Sequence, residues 1–144
     1  MNVFEIPLQL INLQGDGFHL LVEVVVYGQA FNLVLDTGAS KSALDKDTIT
    51  ALIDDDSQIY HLPDRHAIGV GTSSMERYAV IVPEFKIGDL IVENYAVPVF
   101  DLTTVKFAYE TMQLPAVIGV LGGDILKGYH AVIDYQSNIL RLFN

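Results

Sequence analysis

A chain of 144 residues with a hydrophobic share of 51% has the length and apolar content for one packed core, and is read as a single domain over 1–144. Its formal charge of -10, from 18 acidic against 8 basic residues, opposes any electrostatic grip on phosphate backbones or anionic lipid, so neither nucleic acid nor a membrane is expected as a partner. The absence of cysteine excludes disulfides, thiolate nucleophiles and Cys-ligated zinc, and leaves the redox compartment open.

Met1 to Leu13 lack the basic start and small-residue cleavage site of a secretory signal, and no apolar run reaches the length of a membrane span. A cytoplasmic location is the expectation. Along the chain, apolar residues recur with period two or in short β-branched runs, which predicts a mainly β protein. From Phe4 the even positions Phe4, Ile6, Leu8 and Leu10 are apolar, giving a strand with one buried face, and Pro7 suits an edge. Phe18 to Val26 and Phe31 to Leu35 form a hairpin around Tyr27-Gly28-Gln29-Ala30, which delivers Asp36 at its end. A helix is predicted over Lys46 to Ile53, with Asp45 as its N-cap. It runs into Asp54-Asp55-Asp56, where consecutive carboxylates mark a solvated surface, since a hard-cation loop spaces its ligands around a glycine turn.

Ala67 to Val82 reads as a second hairpin with Gly69, Gly71, Thr72, Ser73 and Ser74 at its tip, and Phe85 to Val99 as a third, turning at Gly88-Asp89. Phe100 to Pro115 has weak periodicity and is read as a long connection with at most a helical turn. Ala116 to Leu121 is a short apolar strand, Ile125 to Gly128 a brief helix, and Ala131 to Tyr135 and Ile139 to Phe143 are two strands joined by Gln136-Ser137-Asn138. The two halves echo each other loosely. One hairpin leads to Leu33-Val34-Leu35-Asp36-Thr37-Gly38, and another leads to Val117-Ile118-Gly119.

The chemistry concentrates at Leu33-Val34-Leu35-Asp36-Thr37-Gly38-Ala39-Ser40. A carboxylate directly after an apolar strand sits at the mouth of a core, where its ionised form is disfavoured unless donors compensate. Thr37 and Ser40 offer hydroxyls and Gly38 an accessible N–H, so together they can hold Asp36 without a cation. Asp and Gly are also ordinary turn residues, so the tripeptide alone is weak evidence. His19, His61, His66 and His130 show no ligand spacing, and Ser40 and Ser42 lack the Gly-x-Ser-x-Gly elbow; no metal or cofactor is called for. The tyrosines, Tyr95 and Tyr109 among them, are scattered and are expected on β surfaces.

The segment resembles the active-site signature of the aspartic proteases, Asp-Thr/Ser-Gly-Ala/Ser after apolar residues. The order of the other elements is similar too: a glycine-containing hairpin at Ala67 to Val82, apolar-apolar-Gly at Val117-Ile118-Gly119, Gly123-Asp124-Ile125-Leu126 like the Gly-Arg-Asp-x-Leu helix start, and the ending Val132-Ile133-Asp134-Tyr135 to Leu140-Arg141-Leu142. With one Asp-Thr-Gly, the chain resembles the retropepsin-like branch, which obtains its second loop from a homodimer. The resemblance implies an all-β closed barrel or sandwich with one or two short helices. It also implies Asp36, Thr37 and Gly38 as the catalytic segment and a peptide or protein substrate held by Ala39, Ser40 and a flap at Gly69, Val70, Gly71 and Thr72. By the same resemblance Thr37 braces the loops across the dimer and Ser40 orients the outer oxygen of Asp36. The apolar ends, Phe4 to Leu10 and Ile139 to Phe143, are the candidates to pair across it. Gly122-Gly123-Asp124 departs from the family in having no arginine, and the extra length at Phe85 to Pro115 bears on dimer geometry. Against an endopeptidase stand a non-catalytic module that keeps the fold for binding or dimerisation, and a monomeric fragment completed by another chain.

Overall fold

The computed structural model describes residues 1–53, 59–62 and 77–144. Strand β1 (Val3–Asn12) alternates as expected only as far as Leu8; beyond it Ile11 is buried and Leu10 is 43% exposed. The phase changes because the strand changes partner. Val3 to Pro7 pair with the C-terminal strand and Leu8 to Asn12 pair with β2 (Phe18–Val26). Pro7, which has no N–H to give, stands at the junction. β2 turns into β3 (Gln29–Leu35) through Tyr27 and Gly28 alone, at φ 49 and 76. Two successive positive φ values define the hairpin turn whose twist matches its strands, so β3 starts two residues before Phe31, where the sequence pattern puts it.

β4 (Ala43–Asp45) feeds α1 (Lys46–Thr50), where the Asp45 carboxylate accepts the Thr48 N–H at 3.1 Å as the predicted N-cap. The helix stops at Thr50, short of Ile53. β5 (Ile59–Leu62) lies antiparallel to the start of β6 (Arg77–Ile87), and β6 continues through Gly88-Asp89 into β7 (Leu90–Phe100). The second and third hairpins therefore share one long strand, and the arm opposite its first residues is Ile59–Leu62. The expected tip, Gly69 to Ser74, lies outside the described residues, as do His66 and Asp54 to Asp56.

The stretch after Phe100 holds a full helix, α2 (Thr103–Thr111), where only a helical turn was expected. Asp101 begins it by accepting the Thr103 N–H at 3.0 Å and the Thr103 hydroxyl at 2.5 Å. β8 (Val117–Leu121), α3 (Gly123–Gly128), β9 (Val132–Asp134) and β10 (Ile139–Phe143) follow where the sequence places them.

β6, β7, β4, β8, β3 and β2 form a ring that closes when β2 meets β6 at Val25–Lys86 and Val26–Phe85, giving a six-stranded barrel. Val22, Val24, Leu33, Leu44, Val82 and Phe85 are wholly buried inside it, each contributing about 1.5–3 kcal/mol of apolar burial. Outside the ring, β1 and β10 carry β9 as a further sheet. The chain ends pair with each other, Val3 with Phe143 through Pro7 with Ile139, and Asn2 and Asn144 exchange backbone bonds of 2.7 and 3.0 Å. These facing edges, predicted to reach a second chain, are used within one. No helix among the described residues is long and apolar enough to cross a membrane.

Candidate active site

Both β3 and β4 bond to β8, on its opposite edges: Val34 and Leu35 lie beside Val120 and Leu121, while Ala43 and Leu44 lie beside Val120 and Gly119. The segment 36–42 must therefore arch over the end of β8. This crossing fixes two glycines. A Cβ on Gly119 would stand 2.1 Å from the Ala43 carbonyl oxygen, and one on Gly122 would stand 2.7 Å from the Lys41 carbonyl and 2.8 Å from that of Ala39. The glycine beside the candidate catalytic loop is thus Gly122, after Val120-Leu121, and not Gly119 as the sequence pattern suggests; Gly119 packs against β4.

The arch is pinned by backbone bonds. The Asp36 N–H donates to the Leu121 carbonyl at 3.0 Å, the Ala39 N–H to the Asp36 carbonyl at 3.2 Å, and the Gly123 N–H to the Ala39 carbonyl at 2.8 Å. Asp36 is half-buried, and its Oδ1 accepts the Gly38 N–H at 2.9 Å. Among the described residues neither the Thr37 nor the Ser40 hydroxyl donates to that carboxylate, contrary to expectation; both residues are exposed. Ala39 is half-buried, and the expected flap residues Gly69, Val70, Gly71 and Thr72 lie outside the described residues.

The serine that ties the loop down is Ser42, wholly buried. Its N–H and its hydroxyl both donate to Asp124 Oδ1 at 2.8 Å, and its oxygen accepts the Gly122 N–H at 2.9 Å. The same carboxylate accepts the Ile125 N–H at 2.9 Å, and its other oxygen accepts the Tyr95 hydroxyl. Burial, and then the bond to Asp124, hold the Tyr95 phenol above its ordinary range, so it remains a donor. Neutral donors thus surround Asp124 where the family pattern has an arginine beside it. Tyr95, half-buried on β7, crosses to lock the loop to α3, and its ring also meets Phe85 edge-on at 5.2 Å. Its separation of 29 residues from Asp124 leaves no local signal.

A second lock lies on the far side of β4. Burial works to raise the Asp45 carboxyl, but bonds from the Thr48 hydroxyl, the Lys106 ammonium and the Leu102 and Thr48 N–H groups outweigh it and bring it to about 2. Lys106 lies 2.9 Å away and Leu102 N 3.0 Å, so one buried carboxylate fastens α2 to α1. Beside Thr37 a shallow concavity of about 450 Å³ is lined by Gly123, Leu126, Lys127, His130, Ala131 and Ile133. His19 and His61 meet Tyr109 and Tyr78, and among the described residues no group of side chains could hold a metal ion.

A family model described as aspartyl protease matches residues 22–125, which includes the arch, β8 and the start of α3. The chain belongs to the aspartyl protease family. Its fold is retropepsin-like: it is similar to a retropepsin-like aspartic protease from Rickettsia conorii, with a TM-score of 0.58 and 20% identity over 98% of this chain and 90% of that one. It is equally similar to the retroviral protease-like domain of Ddi1 from Leishmania major, with a TM-score of 0.58 and 18% identity over 88% and 89% of the two chains. A search of curated proteins finds no match.

Proposed function

We propose that the protein is an aspartic endopeptidase whose site is completed by two identical chains, each contributing Asp36 to a carboxylate pair. The observation that carries this is the placement of Asp36: a half-buried carboxylate, steadied by the Gly38 N–H, on a loop locked from behind by Ser42, Asp124 and Tyr95. One carboxylate cannot act as base toward water and as acid toward the peptide carbonyl in the same step. Two brought within about 3 Å share a single proton and divide those roles. The family membership and one Asp-Thr-Gly in 144 residues support a partner as the source of the second. In this pair Thr37 and the concavity beside it face the partner, and Ala39 and Ser40 border an extended peptide. The 144 residues act as one domain.

The test is cleavage of a mixed peptide pool across pH by the wild type and by Asp36→Asn, with and without a pepstatin-type inhibitor. A bell-shaped profile on the acidic side, lost in Asp36→Asn and suppressed by the inhibitor, is expected. Activity rising steadily into alkaline pH and untouched by the inhibitor would contradict the mechanism. A dimer that cleaves nothing would favour the non-catalytic module.

A further inference from the structure

The barrel leaves a second, smaller apolar cluster of Ile11, Leu21, Val34, Tyr109 and Val117, with Val120 and Leu114 packed against it. Its position follows from strand alternation. Within β3, Val34 faces the opposite way from the buried Leu33, two residues before Asp36, and Val120 and Val117 stand beside Val34 and Asn32 in the neighbouring strand, across an irregularity in the register. The cluster therefore begins at Val34, two residues and roughly 7 Å along the chain before Asp36 at about 3.3 Å per residue.

Most of that wall comes from barrel strands, but its cover comes from α2. Tyr109 enters it with only 4% of its surface exposed, and its hydroxyl lies 2.5 Å from His19 Nδ1 with the two rings stacked at 5.9 Å. The helix carrying it is fastened at the other end by Lys106 and Leu102 to Asp45. A groove of about 210 Å³ runs between α2 and β8, with Leu114, Ala116, Val117 and Ile118 as its apolar lining and Lys106 and Glu110 as its charged one.

Resting on the protease assignment above, we infer that this cluster is a side-chain subsite and that Tyr109, held by His19, occupies most of it. Tyr109 is then a specificity-determining residue. It limits the substrate position that reaches this pocket to a small side chain.

The experiment uses peptides of one parent sequence carrying Ala or Phe at each position within four residues of the cleaved bond. The ratio of kcat/KM for Phe over Ala is measured with the wild type, Tyr109→Ala and Tyr109→Leu. At one position the wild type should favour Ala, and Tyr109→Ala should raise the Phe/Ala ratio about tenfold or more, with Tyr109→Leu between them and the other positions unchanged. A ratio that stays within about twofold at every position, or a loss shared equally by all peptides, would overturn the inference while leaving the protease assignment standing. Failure of both variants to fold would overturn it as well, by making Tyr109 a core residue only. Absence of cleavage by every protein, wild type included, would remove the protease assignment and the inference with it.

Discussion

Replacing Asp45 by Asn should make the protein lose a pH-dependent share of its stability. The native carboxyl titrates at about 2 against 3.8 for the free group, so an unfolded chain takes up the proton before the folded one does. That lowering corresponds to about 2 kcal/mol favouring the fold, fully present above pH 3.8 and lost as the pH falls through about 2. Asn keeps one oxygen acceptor but sets an NH₂ among the donors of Thr48, Leu102 and Lys106, and it cannot balance the ammonium. Urea unfolding of both proteins at pH 7, 5, 3.5 and 2 measures the effect. Asp45→Asn should be less stable by about 2 kcal/mol at pH 7, with the two curves converging toward pH 2. A deficit equally large at pH 7 and pH 2, or none at pH 7, would refute the assignment of the stabilisation to ionised Asp45.

Tyr95→Phe removes one donor from Asp124 without changing packing, and should cost about 1–3 kcal/mol in chemical denaturation; no loss would show that the Asp124 lock does not need the phenol. Gly119→Ala drives a methyl to 2.1 Å from the Ala43 carbonyl and should cost at least about 3 kcal/mol, whereas Gly128→Ala, whose Cβ meets nothing within 4 Å, should raise stability by about 0.5–1 kcal/mol. Thermal or urea unfolding of the pair checks both, and a common sign would contradict the proposed crossing over β8.

The longer strands were legible because their period-two alternation is local, whereas β4 and β5, three and four residues long, carried no such pattern, and the Asp36 loop stood out through the resemblance of an apolar strand ending in Asp-Thr-Gly to the aspartic protease signature. What escaped depends on partners far along the chain. β1 changes phase at Leu8 because it exchanges β10 for β2, which no window of sequence encodes. α2 shows little apolar stripe because its inward residues include Lys106, held by charge, beside Tyr109, held by burial and His19. Asp101 ahead of Thr103 was the signal that marked its start. Gly119 and Gly122 both follow two apolar residues, and only the passage of the arch over Gly122 tells them apart. Ser42 sat in view with no hint that its hydroxyl belongs to Asp124.

The shared site is tested most directly by titrating a fixed amount of wild-type protein with Asp36→Asn under conditions where subunit exchange is verified separately. Asparagine is nearly isosteric and keeps an oxygen for the Gly38 N–H, so the variant should fold and pair while supplying no base. At equal amounts and random pairing about a quarter of the dimers hold two wild-type chains, so activity per wild-type chain should fall to roughly half and fall further with excess variant. Activity per wild-type chain that stays constant at every ratio would mean that each chain holds a complete site, and would contradict a carboxylate pair built from two copies of Asp36.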